Sequence, residues 1–539
     1  MNEPPVQAAS AETTVAGRPL TQSVGAGVDV SELEAAGERV RAGYAAPRSS
    51  GRGGTGRARS AVVVGAGFGG LAAALRLRAK GYEVTLLERG ERLGGRAQVF
   101  ERDGFRHDAG PTVVTAPFLF EELFALFGKS LHDYVTLVPL DPWYRFWFPD
   151  GETFDYGGSV ADTQREIARF SSSDAQGYLR LIEHSRKLFQ TGFVDLADVP
   201  FHDPRTMLRQ APALLRLRAY DTVWDMVCRY FEHPKIRQAF SIQPLLVGGS
   251  PFDTTSIYGL IHYLERQWGV FFAMGGTGAL VHALERLLLE EGVRIRTGCT
   301  VESLLIRDRR VHGVLLAGGE RLLSDVVVSN VDPMHLYANM IEPEAQPFST
   351  RIKRNLSRLS MGLYVLYFGT TRQYPRVAHH TIWLGRRYRA LLDDIFKRGT
   401  LAEDFSLYVH RPTATDPAFA PPGCDSFYVL APVPNLRRGP RVPAMDWDAQ
   451  GALLRERIID ALDASLLPDL RKHITADFFM TPQDFADDYL SVAGAGFSIA
   501  PHFTQSAWFR FHNKAEGLSG LYLTGAGTHT GAGMPSVLC

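Results

Sequence analysis

Residues 61–88 read AVVVGAGFGGLAAALRLRAKGYEVTLLE, and this stretch decides the fold of the chain. Residues 61–64 predict a short apolar strand, which is followed at once by a loop with glycine at positions 65, 67 and 70. An Ala/Leu/Arg helix to about residue 80 and a second strand at 83–87 complete the unit, which ends on Glu88. The order strand, G-x-G-x-x-G, helix, strand, acid is typical of a Rossmann-type dinucleotide-binding domain.

Each of these residues has a physical role in holding a dinucleotide. Gly65 makes the tight turn, Gly67 lets the backbone approach a pyrophosphate, and Gly70 lets the helix pack closely on the strand. The phosphate then lies at the helix N-terminus, where free backbone amides favour an anion. Glu88 is expected to accept hydrogen bonds from the adenosine ribose hydroxyls.

A second glycine turn, Gly94-Gly95-Arg96, begins six residues after Glu88. With this turn, residues 62–96 resemble the FAD-binding opening of the amine-oxidase-like flavoproteins, in which a Gly-Gly-Arg turn approaches the cofactor phosphates. The resemblance implies that FAD is the cofactor and that Gly94, Gly95 and Arg96 contact it. The sequence contains no second strand, G-x-G-x-x-G, helix unit downstream, so a separate NAD(P)H domain is not expected.

The rest of the chain narrows the family. Residues 107–112 (HDAGPT) are similar to a segment of the bacterial and fungal-type phytoene desaturases, the single-polypeptide carotenoid desaturases. Further blocks agree in the same order, so that the resemblance covers residues 60–539: 241–257 (SIQPLLVGGSPFDTTSI), 268–280 (WGVFFAMGGTGAL), 363–369, 401–407 (LAEDFSL), 428–434 (YVLAPVP), 504–510 (TQSAWFR) and 521–535 (LYLTGAGTHTGAGMP). One departure is Thr530, where the family usually has proline.

Composition excludes several classes of protein. The 539 residues are 45% hydrophobic and 22% charged, which is typical of a soluble chain with a packed core. The 58 basic residues equal the 58 acidic ones, so we expect no nucleic-acid partner. The four cysteines lack the spacing of a disulfide framework or a zinc site, and we expect no metal. Uncharged stretches fall short of the ~20 apolar residues that span a bilayer.

The pattern along the chain predicts an α/β fold with a flexible N-terminal extension at residues 1–60. Ser31 and Glu34 have the spacing of a capping box for a short helix within that extension. The Rossmann-type FAD-binding domain is expected to be assembled from discontinuous segments, 61–112, 271–344 and 491–539. Residues 113–270 and 345–490 are expected to form an α+β substrate-binding domain with membrane-facing helices.

Segments later in the chain are also expected to contact the cofactor. Strands are predicted at 293–296, 301–306, 311–316 and 326–329, and the resemblance implies that Val301 holds the adenine through its main chain. A last strand at 521–524 delivers Gly525 and Gly527 to the crevice where ligands bind in open α/β sheets. The resemblance also implies a helix facing the flavin near Met534; because the sequence ends at Cys539, we expect that helix to be missing.

The resemblance implies 15-cis-phytoene and carotene intermediates as substrates. Burying a hydrocarbon of about forty carbons is worth on the order of 30 kcal/mol, so this substrate must be collected from lipid. Residues 203–220 are the candidate membrane helix, with Asp203 as N-cap and with Pro212 expected to kink or split it. Its apolar and basic residues are Met207, Leu208, Leu214, Leu215 and Leu217, and Arg205, Arg209, Arg216 and Arg218. Five aromatic residues are expected either at a tunnel mouth or in the core: Trp143, Tyr144, Phe146, Trp147 and Phe148.

A hydrocarbon offers no heteroatom to protonate, so the expected step is loss of a hydride from an allylic carbon to flavin N5. The delocalised cation that results has an acidic neighbouring C–H and needs no strong base. His529 is the candidate for proton handling, or else a structural histidine that holds its turn. Trp268, Phe271 and Phe272 either stabilise the cation through their ring faces or pack in the core.

Three functions stay open at this point. The first is an FAD-dependent desaturase that makes lycopene or a less desaturated carotene. The second is another flavoenzyme of the same fold that acts on a different polyene. The third is a lipid carrier without redox activity, against which the intact glycine turns argue. We expect a cytoplasmic protein, peripherally associated with membrane lipid, with oxygen or a quinone as electron acceptor.

Overall fold

A computed structural model describes residues 59–196, 204–437 and 445–539. The strands in chain order are β1 Ser60–Val64, β2 Glu83–Leu87, β3 Val99–Arg102, β4 Phe105–Asp108, β5 Leu137–Pro139, β6 Tyr144–Trp147, β7 Thr153–Tyr156, β8 Phe271–Ala273, β9 Arg294–Arg296, β10 Val301–Arg307, β11 Arg310–Leu316, β12 Arg321–Leu323, β13 Val326–Ser329, β14 Gly362–Thr370, β15 His380–Trp383, β16 Leu407–His410, β17 Asp425–Val433, β18 Ile474–Met480 and β19 Leu521–Leu523. The predicted capping box at Ser31 and Glu34 lies outside the described residues.

The α-helices, in chain order, connect these strands. They are α1 Phe68–Ala79, α2 Phe118–Ala125, α3 Val160–Ala168, α4 Ser172–Phe189, α5 Pro204–Arg216, α6 Val223–Cys228, α7 Pro234–Phe240, α8 Leu260–Trp268, α9 Thr277–Glu290, α10 Pro333–His335, α11 Phe348–Leu356, α12 Tyr388–Asp393, α13 Trp447–Asp463, α14 Leu470–His473, α15 Pro482–Tyr489 and α16 Met534–Leu538.

A five-stranded sheet carries the opening unit of the sequence. Its strand order is β19-β13-β1-β2-β9, and all four pairings are parallel. β1 is nearly all apolar because a strand in the middle of a parallel sheet is covered on both faces. Strands from three distant stretches of the chain therefore form one sheet, as a discontinuous domain requires. The domain boundaries themselves stay a prediction.

A seven-stranded sheet forms the other large layer. Its order is β18-β14-β17-β16-β15-β6-β7, with β15 parallel to β6 and the remaining pairs antiparallel. The strands come from residues 144–156 and 362–480, which lie in the two stretches expected to bind substrate. Every residue of β14 is buried, and α4 packs on α8 beside this sheet.

Several of the short strands were not predicted from the sequence. β10 and β11 pair as an antiparallel hairpin, and an unpredicted third strand, β12, extends it. β3 and β4 form a second hairpin, and β8 pairs with β5. These short strands escaped prediction because pairing, rather than a long apolar run, stabilises them.

Two sequence predictions about helices are corrected by the structure. Pro212 was predicted to kink or split this helix; α5 is continuous through Pro212, so the split is wrong, and the kink stays a prediction. The Pro212 side chain is exposed, and the chain on its C-terminal side keeps the hydrogen bond from Leu217 N to Ala213 O at 3.0 Å. The prediction that the helix near Met534 is missing is also wrong, because α16 forms there and buries Met534 and Leu538.

The described residues contain neither a membrane-spanning helix nor a disulfide bond. In that part of the chain, no helix combines the length and the apolar character needed to cross a bilayer. All four cysteines lie within it and carry free thiols.

Candidate functional site

The glycine loop of residues 65–70 joins β1 to α1 at the carboxyl edge of the parallel sheet. Gly65 has a φ of +89°, which favours glycine, and its amide donates to Leu87 O at 2.8 Å. A Cβ at Gly70 would lie 1.9 Å from Gly65 O, so only glycine allows the helix this close to the strand. The backbone around Gly67, at the start of α1, lines a large cavity.

Glu88 fastens this loop to the end of β2. Its Oε2 accepts a hydrogen bond from Ala66 N at 2.7 Å, and its Oε1 accepts one from Gly90 N at 2.9 Å. The carboxylate also lines the cavity, and each of its oxygens has a further lone pair. Its predicted bonds to ribose hydroxyls stay a prediction.

The turn of residues 94–96 lies directly against the glycine loop. Gly94 N donates to Ala66 O at 2.9 Å, and a Cβ on Gly95 would lie 3.6 Å from Gly67 Cα. Arg96 is deeply enclosed, and its Nη2 donates to Ser491 Oγ at 2.5 Å. Burial lowers the pKa of this guanidinium, and the nearby carboxylate of Asp332 opposes that shift. The turn therefore presents a cation to the same cavity.

The last strand brings a third glycine turn to the same edge. β19 pairs in parallel with β13, so Gly525 and Gly527 line the cavity beside the first loop. Met534 lines it as well, at the start of α16. Val301 lies on the opposite side, where β10 begins. The structure thus brings together all the predicted cofactor residues, although their individual contacts stay predictions.

Asn330 is a central residue that the sequence analysis missed. It follows β13, and its backbone N–H donates to Val64 O at 2.8 Å. Added Cβ atoms on Gly67 and Gly525 would lie 2.8 Å and 2.7 Å from its side-chain amide. Its position directly after a predicted strand of the parallel sheet was a usable signal, since ligands bind at the carboxyl ends of such strands.

The cavity has a volume of about 640 Å³ and extends from these turns into the substrate-binding side. Its far walls come from α8, β15 and the segment before α6, and they are mainly leucine, isoleucine and aromatic side chains. Apolar members are Leu214, Leu245, Ile257, Ile261, Leu264, Met361, Leu363, Ile382 and Leu391. One continuous space therefore joins a polar, glycine-lined end to an apolar end.

Glu265 is a buried carboxyl group in the apolar wall, and the sequence analysis missed it. Its side chain is 1% exposed, and Oε1 accepts a hydrogen bond from Tyr144 OH at 2.8 Å. Burial raises the pKa of Glu265 to about 7, while the Tyr144 hydroxyl and the Arg266 charge act in the opposite direction. The cavity therefore contains a group that titrates near neutral pH.

His529 lies beside the third glycine turn and lines the cavity. Its Nε2 donates to Leu196 O at 3.0 Å, since a carbonyl oxygen only accepts. Burial lowers the pKa of the imidazole to about 4. The neighbouring Thr530, at the departure from the family pattern, donates from Oγ1 to Ser536 O at 2.9 Å and so fastens the turn to α16.

Most of the aromatic candidates are core residues. Trp143, Phe146 and Phe148 are buried in the main core of the seven-stranded sheet. Among the five aromatic residues proposed for a tunnel mouth, Tyr144 lines the cavity. The rings of the other group also pack on protein: Trp268 lies 4.9 Å from Phe118, and Phe272 lies 4.6 Å from His379, centroid to centroid. Neither they nor Phe271 line the cavity, which favours the alternative that these three rings pack in the core.

Comparison with known proteins decides the family. Residues 68–538 match the family described as flavin containing amine oxidoreductase. A lycopene-forming phytoene desaturase of Pseudescherichia vulneris is 47% identical over 479 residues, which cover 88% of this chain and 96% of that protein. The chain belongs to the phytoene desaturase family. A neurosporene-forming member from Rhodobacter capsulatus is 42% identical over 482 residues, 89% of this chain and 91% of that protein.

The fold of this family member also resembles that of solved structures. An oxidoreductase from Methanosarcina mazei superposes with a TM-score of 0.60 at 17% identity, covering 89% of this chain and 98% of that one. At this identity the likeness concerns the fold alone. The chain is an FAD-dependent oxidoreductase, as its family membership predicts.

The residues present fit FAD. The cradle beside Gly70 is one that a Cβ would fill, and the loop ends on the N-terminus of α1, whose amides favour an anion. Arg96 adds a positive charge at this place, and Glu88 adds hydrogen-bond acceptors. Gly65, Gly67, Glu88, Gly94 and Arg96 would hold the adenosine and phosphates, with the third glycine turn and Met534 near the redox-active end.

Proposed function

We propose that this chain desaturates 15-cis-phytoene in successive steps to lycopene or a less desaturated carotene. One observation carries the proposal: a single cavity runs from the glycine turns to walls of leucine, isoleucine and aromatic side chains. A long hydrocarbon fits such walls because its transfer from water is strongly favourable. The lycopene-forming and neurosporene-forming relatives support the same substrate class.

When bound, FAD supplies a hydride acceptor, and reoxidation by oxygen or a quinone completes the proposed cycle. The chain's own residues bind the polyene and exclude water from it. Leu245, Ile257 and Met361 contribute walls without a hydrogen-bond donor or acceptor in their side chains. Glu265 and Tyr144 place polar groups in that wall, and their mutual hydrogen bond satisfies one donor there.

The test is to incubate the FAD-loaded protein with phytoene in liposomes and to identify the coloured products by chromatography. We expect lycopene, neurosporene or another carotene with more conjugated double bonds than phytoene. A protein that holds stoichiometric FAD, takes up phytoene and yields no desaturated product would contradict the proposed reaction. Conversion of a different polyene in its place would select the second function considered above.

We further propose that the protein collects this substrate while bound peripherally to a membrane. Seven large apolar side chains, each between 37% and 75% exposed, lie on three neighbouring segments that we name the docking surface: Leu215 and Tyr220 at α5, Phe348, Ile352 and Leu356 on α11, and Phe503 and Phe509 between them. The three residues of α11 are spaced by four and therefore share one face of the helix.

Contacts join these segments into one surface. α5 contacts the turn Ala507–Phe509. On the other side, Lys353 Nζ donates to Arg510 O at 2.7 Å, and Arg358 N donates to Gln505 Oε1 at 2.7 Å, so α11 flanks the same turn. The side chains of Met207, Leu208 and Arg209 lie outside the described residues.

The cavity reaches the docking surface. Leu214, Phe503 and Ala507 line the cavity and belong to, or adjoin, the exposed segments. Four exposed arginines lie on or next to the same segments: Arg216, Arg218, Arg351 and Arg358. An apolar face with a basic border is typical of a protein that lies on an anionic lipid surface. A polyene would then pass from lipid to cavity without entering water.

Flotation with phosphatidylcholine and phosphatidylglycerol vesicles tests this proposal. The triple variant Phe348→Ser, Ile352→Ser, Leu356→Ser should lose most of its recovery with vesicles. The matched control, Leu289→Ser with Leu323→Ser, also removes exposed apolar residues, but from other surfaces, and should float like the wild type. Equal recovery of the triple variant and the control would place the docking surface elsewhere.

A further inference from the structure

Three buried histidines lie together in the seven-stranded sheet, away from the glycine turns. His380 begins β15 and His410 ends β16, and the two residues are direct partners across these antiparallel strands. His379 precedes β15. Their exposures are 5% for His379 and 0% for the other two. Neither the cofactor site nor the apolar wall explains why three imidazoles share this place.

Asp108 fixes the orientation of the first ring. His410 Nε2 lies 3.4 Å from Asp108 Oδ2 and donates to it, so His410 Nδ1 holds a lone pair. Asp108 is held in turn by Thr277, whose amide and hydroxyl both donate to Oδ1, at 2.8 Å and 3.1 Å. The carboxylate is therefore immobile, and so is the ring it holds.

The other two rings are held in the same manner. His379 Nδ1 is 2.7 Å from Thr415 Oγ1, and His380 Nδ1 is 2.7 Å from Tyr408 OH. Each histidine thus uses one nitrogen for a bond to a neighbouring oxygen. The second nitrogen of each ring has no hydrogen-bond partner among the described residues.

The remaining atoms are His379 Nε2, His380 Nε2 and His410 Nδ1. Within the described part of the chain, these buried atoms have no hydrogen-bond partner. One ring nitrogen from each of the three histidines lies within 4.8 Å of a ring nitrogen of the other two, so some point between these nitrogens is no more than about 2.8 Å from each. Leaving a buried polar group without a hydrogen-bond partner is unfavourable. A group at the centre of the three nitrogens would remove that cost.

We propose that this cluster binds one divalent first-row transition metal ion, with Zn²⁺ as the best match. Imidazole nitrogen suits zinc, and three histidines leave a fourth position for water. Zn–N bonds of about 2.0–2.1 Å require the rings to move inward by less than about 1 Å. The outer hydrogen bonds match those that hold metal-ligating histidines, with Asp108 balancing part of the charge.

The metal would connect parts of the molecule that are distant in sequence. His379 and His380 belong to β15 and its approach, His410 to β16, and Asp108 to the end of β4. Tyr408, which holds His380, also lines the cavity. The ion would join these elements behind the substrate wall, and the hydride transfer proposed above does not require it.

Metal analysis of the FAD-loaded protein tests the inference. The protein is produced with added zinc, passed through a chelating buffer and measured by plasma mass spectrometry. We expect about one zinc per chain in the wild type and only background in His380→Gln and His410→Gln. His282→Gln, which changes an 81% exposed histidine side chain, is the control and should keep the metal.

X-ray absorption at the zinc edge of the wild type gives a readout that does not depend on whether the variants fold. We expect three imidazole nitrogens at about 2.0–2.1 Å. A wild-type protein without metal, with ordered water between the three rings, would overturn the proposal. Zinc retained in full by both cluster variants, or a sulfur- or carboxylate-bound zinc spectrum, would overturn it equally.

Discussion

The guanidinium group of Arg510 donates a hydrogen bond to the backbone oxygen of Ala526, with 2.6 Å between Nη2 and the oxygen. The same nitrogen donates to Ile499 O at 3.0 Å. Ala526 lies between the two glycines of the third turn, so a buried cation holds that turn in place. Burial lowers the pKa of Arg510, which the nearby Tyr258 and Asp332 oppose.

Arg510→Lys should weaken FAD binding and lower the free energy of unfolding by about 1–3 kcal/mol. Lysine keeps the charge but lacks the planar guanidinium group, whose Nη2 reaches Ala526 O and Ile499 O while its Nη1 reaches Gln505 O at 3.4 Å. Flavin fluorescence titration and urea unfolding measure the two effects. Arg309→Lys is the control, because Arg309 is exposed and donates to a single carbonyl, Gly517 O at 3.2 Å. Wild-type FAD affinity in Arg510→Lys would show that the third glycine turn keeps its shape without the hydrogen bonds from the guanidinium group.

Gly70→Ala should abolish FAD binding. The new Cβ would lie 1.9 Å from Gly65 O, so the glycine loop and α1 would have to separate. The flavin absorbance per chain after gel filtration measures the loss.

Gly90→Ala is the matched control for that change, because it adds the same methyl group close to the same site. Its Cβ would meet Glu88 Oε1 at 3.5 Å, which is an ordinary contact. The control should keep its flavin. If both variants bound FAD stoichiometrically, the close approach at Gly70 would not be needed for the cofactor.

The FAD cofactor and the parallel sheet could be predicted from the sequence because their determinants are local. The spacing of Gly65, Gly67 and Gly70, and the acid that ends the second strand, form a continuous pattern of 28 residues, 61–88. Gly525 and Gly527 could be added because they follow a short apolar strand, whereas Val301 was implied by the resemblance to related flavoproteins. Parallel pairing then brings these strand ends to one edge of the sheet.

The residues that were missed depend on contacts between distant parts of the chain. Glu265 lies on an amphipathic helix, where a carboxylate predicts a solvated face, and tertiary packing buries it against Tyr144, 121 residues earlier. Spacing likewise does not reveal the cluster of His379, His380 and His410, which only strand pairing assembles. The docking-surface residues of α11 resemble core residues in sequence, since exposure is not visible there.

Glu265 should make stability depend on pH between about 4.5 and about 7. Its pKa in the folded protein is raised from 4.5 to about 7. The folded state therefore binds the proton more tightly than the unfolded state, and the resulting stabilisation is lost as pH rises through this range. Glu265→Gln should remove this slope, which urea unfolding across the range measures.

Tyr144→Phe should raise the pKa of Glu265 further. The hydroxyl of Tyr144 stabilises the charged carboxylate, so its removal favours the protonated form. The apparent pKa of Glu265, read from the infrared carboxyl band, should then exceed that of the wild type. A lower value, or a slope that persists unchanged in Glu265→Gln, would assign the titration to another group.

His529→Gln should slow desaturation by less than the ~100-fold lower limit for loss of a general acid or base. A group whose pKa is lowered to about 4 by burial stays neutral at working pH and is a weak match to base catalysis there. A glutamine amide can also donate to Leu196 O, which now accepts from Nε2 at 3.0 Å. The turn should therefore keep its shape in the variant, and FAD should stay bound.

Rapid mixing of phytoene with the oxidised holoenzyme measures the reductive step of the His529→Gln variant. The rate of that step should not follow a histidine titration from about pH 5.5 to 8. Loss of that step with FAD still bound would make His529 the obligatory proton acceptor, and the cation-first order of bond breaking would have to be abandoned.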